Sequence, residues 1–273
     1  DYKSYIDKKL YGSKSNKNFD KILNNIVFNL DIPNNAFHTY SKKFEYNFKK
    51  IALNKFKKFK TIVIIGMGGS ILGAESLYFF LKYKIKKSCI FLDDLDENKL
   101  KDLKKKGKLN KVLFIIISKS GGTIETLVNL LTLKIAKKKS KNIIIISNKK
   151  NGPLKLLSKK MKLHYIEHKN YIGGRYSVLS EVGVVPAYLM GINISLLRKS
   201  LSTHFKNPNK KFLKHSSELF SNLYNKKKIN NLILLNYVPE LEKFLYWCQQ
   251  LIAESLGKKG KGFLPVVSTT PKD

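Results

Sequence analysis

The polar and apolar positions fall into two regimes that meet near residue 60. Before that point the pattern is weak. Residues 19–30 read as a helix ending near Pro33, and residues 37–48 as a second one. From Thr61 a regular alternation begins. Short β-branched runs at 61–65, 89–92, 112–117, 142–146 and 163–166 read as strands. Stretches at 71–81, 97–105, from Ile124 onward (apolar at 124, 127, 128, 131 and 135), at 154–159 and at 178–190 read as helices between or after them. Strands alternating with helices predict an α/β fold, a parallel sheet flanked by helices on both faces. Residues 194–228 read as Lys/Asn/Ser-rich helix, 231–236 as a further strand, and Pro239 as the first turn of a helix running to about Ser255 and stopped by Gly257. This last βα unit looks like the opening of a second sheet that the chain does not complete. The expected division is an N-terminal helical segment (1–50), a first sheet domain (51–195), and linker helices with an incomplete second domain (196–273).

Two turns follow predicted strands, where ligands of parallel sheets bind. Val112–Ile117 runs into Ser118-Lys119-Ser120-Gly121-Gly122-Thr123 and then straight into a helix. Free backbone N–H groups and the positive end of the helix dipole favour an anion there. Four hydroxyls (Ser118, Ser120, Thr123, Thr126), the charge of Lys119 and a Gly-Gly pair are more than helix capping requires, so the turn reads as a phosphate site. The second turn, Gly66-Met67-Gly68-Gly69-Ser70, lacks the third glycine of a dinucleotide fingerprint, since Ile71 stands there. Gly69 and Ser70 open a helix beside the first turn and can meet the same ligand.

Composition adds a puzzle of charge. The 273 residues are 43% hydrophobic, as in a globular protein with a sizeable core, yet the net charge is +34. Nucleic-acid binding is the obvious inference. Against it, lysines lie along almost the whole chain, and Arg175 and Arg198 are the only arginines. No nucleic-acid motif is visible, so a general Lys/Asn/Ile bias is the preferred cause and a nucleic-acid partner is not expected. Cys89 and Cys248 show no metal-ligand spacing and read as free thiols in a reducing cytoplasm. No apolar run reaches the ~18–20 residues of a membrane span. His164 and His168 fall in strand and loop, which argues against a metal pair. The chain opens on Asp1 rather than Met, which suggests an internal fragment.

Four segments, GMGGSILGAESL (66–77), SKSGGTIET (118–126), GGRYSVLSEVG (173–183) and QQLIAESLGKKGKG (249–262), together resemble the glucose-6-phosphate isomerase family in order and spacing. The resemblance covers residues 60–270. It implies two sugar-isomerase (SIS) domains, a homodimer without cofactor, and interconversion of glucose 6-phosphate and fructose 6-phosphate through a cis-enediol. Gly69, Ser70, Ser118, Lys119, Ser120, Thr123 and Thr126 resemble residues that hold the phosphate and sugar, and Glu125 an acid that orders substrate contacts and a water. Arg175, after Gly173-Gly174, resembles the arginine that stabilises the enediolate, where a charge that cannot be lost is needed. Glu254 resembles the base that moves a proton between C1 and C2, for which burial should raise its pKa. Gln250 lies one helical turn before it, able to face the same ligand.

Two family residues, a ring-opening histidine and a C-terminal lysine, have no counterpart here; His38, His164, His168, His204 and His215 match neither. The parent protein is expected to be the isomerase, with this piece lacking part of the site. Three alternatives stay open: a bifunctional phosphoglucose/phosphomannose isomerase, a non-catalytic SIS module sensing a sugar phosphate, and a basic nucleic-acid-binding protein.

Overall fold

The computed structural model describes residues 17–105, 107–206, 209–225 and 229–269. Five strands, β1 (Thr61–Ile65), β2 (Ser88–Leu92), β3 (Val112–Ile117), β4 (Ile143–Ser147) and β5 (His164–Glu167), form one sheet in the order β2-β1-β3-β4-β5. Every pairing is parallel. The central strands β1, β3 and β4 are almost wholly apolar, without alternation, because both faces are covered, whereas the edge strands β2 and β5 are partly polar and less buried. Even residues of β1 (Ile62, Ile64) and odd ones of β3 (Leu113, Ile115, Ile117) join one core, with Leu53, Phe56 and helices α3 (Leu72–Phe80) and α7 (Glu181–Met190). Val63, Ile65, Phe114 and Ile116 join the other, with α4 (Glu97–Lys105), α5 (Ile124–Thr132) and α6 (Pro153–Met161). The α/β class with helices on both faces is as expected.

The order of the strands reverses between β1 and β3, so the crevice of the topological switch point opens there. Both Gly/Ser turns leave the sheet at that place, since Ile65 pairs with Ile116. A second parallel sheet, of β6 (Asn231–Asn236) and β7 (Leu264–Thr269), lies beside α10 (Glu242–Leu256). The strand β7 is not among the expected elements; its Leu264-Pro265-Val266-Val267 run follows a Gly/Lys-rich turn and is too short to separate from coil by pattern. Among the described residues no helix is long and apolar enough to cross a membrane.

Before the sheet come α1 (Lys17–Phe28) and the single turn α2 (Lys50–Leu53). After α7 come α8 (Ile194–Arg198) and α9 (Asn209–Asn225), in place of one expected helical stretch. The expected helix over 37–48 does not form. A 3₁₀ turn spans Ala36–Tyr40, and the chain is then irregular. Phe44, Tyr46 and Phe48 recur at period two, and their rings pack in succession with centroids 5.2 and 5.1 Å apart. Edge-on and tilted ring packing along this non-helical stretch therefore prevails over a weak helical pattern. The helix expected from Val178 starts at Glu181 instead. Gly174–Leu179 is 3₁₀, and Ser180 caps α7 by accepting from the Val182 N–H at 3.3 Å.

Candidate active site

The turn after β3 is held by its own hydroxyls. Ser118 Oγ accepts from the Gly121 N–H at 3.1 Å and lies 2.7 Å from Thr123 Oγ1; Ser120 Oγ accepts from the Gly122 N–H at 3.2 Å. Gly121 has φ +72°, a conformation glycine adopts without a Cβ penalty. Ser118 is 1% exposed and acts as frame, whereas Ser120 is exposed and Lys119, Thr123 and Glu125 are half-buried. Burial, with Lys150 nearby, pushes the Lys119 pKa below its ordinary value, so an anion in the turn would relieve that penalty. Thr126 is not at the surface of the turn. It is 1% exposed on the inner face of α5, and its Oγ1 has no hydrogen-bond partner among the described residues.

The turn after β1 meets a different segment, the one carrying Arg175. A Cβ on Gly69 would lie 2.2 Å from the Gly174 carbonyl carbon, so only glycine permits this approach. Ser177 Oγ shares its one proton between the Gly174 carbonyl at 2.6 Å and the Gly69 carbonyl at 2.9 Å, and so clamps the two loops. Gly68, at φ +52°, lies against Gln250, whose Nε2 would be 2.9 Å from a Cβ placed there.

The third element is α10, on the far side of these loops. Ser76 of α3 touches it: the Ser76 hydroxyl shares its one proton between the Leu72 carbonyl of its own helix at 2.6 Å and the Lys243 carbonyl at 2.9 Å. Trp247 Nε1 donates to the Arg175 carbonyl at 2.8 Å. One turn further, Gln250 Nε2 donates to Glu254 Oε1 at 2.8 Å, and Arg175 Nη1 donates to Glu254 Oε2 at 3.2 Å. Arg175 Nε also donates to Ser255 Oγ at 2.9 Å, and that hydroxyl lies 2.9 Å from the Tyr176 hydroxyl. The tyrosine hydroxyl is more acidic than ordinary; burial opposes this, and Ser255 and Arg175 outweigh it.

Arg175, Gln250 and Glu254 are thus brought together beside Gly68–Ser70, at the same sheet edge as Ser118–Thr123. The buried carboxylate expected at 254 is not found: Glu254 is 48% exposed, because α10 covers the edge from the open side. Its carboxylate is oriented by an arginine and an amide rather than by burial. Trp247, Ser255, Tyr176 and Ser177 contact the loops or the Arg175 guanidinium and are not nominated from the sequence. Trp247, Gln250 and Glu254 share one helix face at spacings of three and four, and that heptad-like stripe was the available signal.

Behind the loop carrying Arg175 lies a closed polar pair. His168 is 1% exposed and Glu181 0%, with Nδ1 and Oε2 3.9 Å apart. His168 Nε2 contacts the Ile172 carbonyl at 3.2 Å, and the Asn47 N–H donates to Glu181 Oε1 at 3.0 Å. The pair ties β5, α7 and the irregular 41–49 segment together around residues 169–175.

A family model for phosphoglucose isomerase matches residues 33–264. A glucose-6-phosphate isomerase of Methanocaldococcus jannaschii is 34% identical over 232 residues, 81% of this chain and 57% of that protein. A probable glucose-6-phosphate isomerase of Methanococcus maripaludis is 33% identical over 91% of this chain and 58% of its own length. The chain therefore spans little more than half the length of either relative. A hypothetical protein of Thermus thermophilus has the same fold, with TM-score 0.78 at 22% identity over 97% of this chain and 67% of that one. So does a Chlamydia trachomatis glucose-6-phosphate isomerase, with TM-score 0.67 at 22% identity over 81% of this chain and 48% of that one. With the family model covering most of the sequence, and the loops and α10 assembled at the switch point, the chain belongs to the phosphoglucose isomerase family.

Proposed function

We propose that the protein of which this chain is part interconverts glucose 6-phosphate and fructose 6-phosphate through a cis-enediol. The observation that carries this reading is the convergence of Glu254, Arg175 and Gln250 beside the two Gly/Ser turns. Isomerisation moves one proton between adjacent carbons and develops negative charge on the neighbouring oxygens. A single carboxylate can take the proton from C2 and return it to C1. A guanidinium beside it keeps its charge and can stabilise the enediolate. Glu254 and Arg175 stand 3.2 Å apart, so one substrate could meet both.

The roles follow from position. Ser120, Thr123 and Lys119, with the α5 N-terminus, take the phosphate, while Ser118 holds the turn. Glu125, with Gly69, Ser70, Gly174 and Gln250, lines the sugar. Thr126, buried as it is, supports α5 from inside. The reaction is assigned no cofactor. The division at residues 50 and 195, a homodimer, and a cytoplasmic setting belong to the same proposal. A non-catalytic sugar-phosphate sensor would need the Ser/Thr turn but not the Arg175–Glu254 pair, which favours the enzyme.

Glu254→Gln in the full-length protein tests the reading. It keeps shape and hydrogen bonding but removes basicity, and a positioned base contributes ~10²–10⁴-fold. Turnover and exchange of the C2 proton with deuterated water should fall at least about 100-fold while sugar-phosphate affinity holds. Near-normal turnover would put the base elsewhere.

A further inference from the structure

The lysines are not evenly spread once the fold is known. Five segments lead into the sheet at the N-terminal ends of its strands, opposite the candidate active site: 54–60 (NKFKKFK), 82–87 (KYKIKK), 107–111 (GKLNK), 134–142 (KIAKKKSKN) and 159–162 (KKMK). Together they hold eighteen lysines and not one Asp or Glu. The five segments at the other edge, 66–71, 93–96, 118–123, 148–152 and 168–180, are of similar total length and hold five cations and three aspartates. A uniform compositional bias would load both edges alike. Helix dipoles account for Lys159 and Lys160 at the end of α6. They do not account for Lys58, Lys60, Lys137 and Lys141, which lie outside α-helices.

The surface these lysines form is concave. A cavity of about 860 Å³ opens under β1, β3 and β4, with Phe59, Leu133 and Ile135 in its floor and Lys58, Lys60, Lys111, Lys134, Lys137 and Lys141 around it. Further hollows share Lys58, Lys111 and Lys141 with it, and extend the same surface to Lys108 and Lys162. None of these lysines forms an ion pair among the described residues. Their mutual repulsion costs stability unless an anion covers it.

We propose that this N-terminal edge of the sheet is a docking surface for the phosphate backbone of single-stranded nucleic acid, read without regard to sequence. Lysine is a point charge that pairs with phosphate but lacks the planar fork that reads bases. Five strands at ~4.8 Å spacing make an edge about 19 Å across, long enough for several nucleotides. Tyr83, 77% exposed between Lys82 and Lys84 at the same edge, offers a ring on which a base can stack. The surface is independent of the sugar-phosphate site, and neither proposal needs the other.

The test is fluorescence anisotropy of a labelled mixed-sequence 20-nucleotide RNA against the chain, between 50 and 200 mM KCl. Six phosphate contacts give a slope of about −4 in log K against log salt, a loss of roughly 250-fold over that range. The triple variant Lys111→Gln, Lys137→Gln, Lys141→Gln should flatten the slope by about 2, and the matching Lys→Arg triple should restore it. Lys149→Gln, Lys150→Gln, Lys169→Gln removes the same charge from the other edge and should leave the slope nearly unchanged. Tyr83→Ala should weaken RNA binding without changing the slope. Equal effects of the two glutamine triples would reduce the binding to net charge and overturn the proposal. Binding to phosphatidylserine vesicles but not to RNA would overturn it as well.

Discussion

Gly69→Ala probes the contact on which the candidate active site depends. The added methyl would sit 2.2 Å from the Gly174 carbonyl carbon, 2.5 Å from its oxygen and 2.6 Å from the Arg175 nitrogen. All three are backbone atoms, so no side chain can swing aside. Ordinary contact begins near 3.4 Å, so the two loops must part by about 1.2 Å. Overpacking of this kind costs about 1–3 kcal/mol. The Ser177 Oγ bond to the Gly69 carbonyl, 2.9 Å long, is stretched by the same movement, at about 1 kcal/mol. A total of roughly 2–4 kcal/mol should lower Tm by roughly 4–16 °C in a chain of this size. The functional loss should be larger in proportion, because Arg175 moves with Gly174 and a displacement near 1 Å in a positioned site can cost about 100-fold. Gly174→Ala is the control. Its Cβ would find only Gly69 Cα, at 3.8 Å, an ordinary contact, and should melt near the parent temperature. Calorimetric melting of both variants, with fructose 6-phosphate titrations and turnover in the full-length protein, gives the comparison. If Gly69→Ala melts within about 4 °C of the parent, the low end of that range, or no lower than Gly174→Ala, the close approach of the two loops is wrong.

Other outcomes follow from single contacts. The double variant Ser120→Ala, Thr123→Ala removes two hydroxyl donors from the α5 N-terminus and should weaken fructose 6-phosphate binding by about tenfold or more by calorimetry, at about 1 kcal/mol each; unchanged affinity would remove this turn as the phosphate site. Glu75 is 4% exposed on α3, and burial holds its pKa above the ordinary carboxylate value despite Lys243 at 3.4 Å. The native state then keeps this proton longer than the unfolded chain, so its contribution to stability falls as pH rises from the ordinary carboxylate pKa through the raised one. Glu75→Gln should therefore raise Tm at pH 7, and the gain should vanish below about pH 4, where both states are protonated; a loss of Tm at pH 7 would mean that the Lys243 pair outweighs burial. Burial pushes the Cys89 thiol up to about 12, so it should resist iodoacetamide at pH 8 in the folded chain and react after denaturation.

How much of this is legible before the fold is known depends on the range of the interactions. Apolar runs in β1 to β5 announce a parallel sheet because each residue's burial repeats locally along the chain, and the Ser118–Thr123 turn is readable because its donors lie within six residues. The 37–48 segment misleads because its aromatic residues settle against one another and around Arg198, which reaches the Ser41 carbonyl across 157 positions of sequence. The aromatic spacing allows either pattern, and a distant partner selects the non-helical one. Arg175, Gln250 and Glu254 can be nominated from motif alone, but their meeting cannot. It rests on Trp247 gripping the Arg175 carbonyl, on Ser255 gripping its guanidinium, and on Gly69 letting two backbones touch. The exposure of Glu254 is likewise decided only by where α10 lies against the sheet edge. Charge shows the same division. The excess of lysine is a property of composition, written in the sequence in full. Its concentration on one edge exists only because five parallel strands bring five separate lysine-rich segments to the same end, where each stays exposed to water while the residues between them are buried.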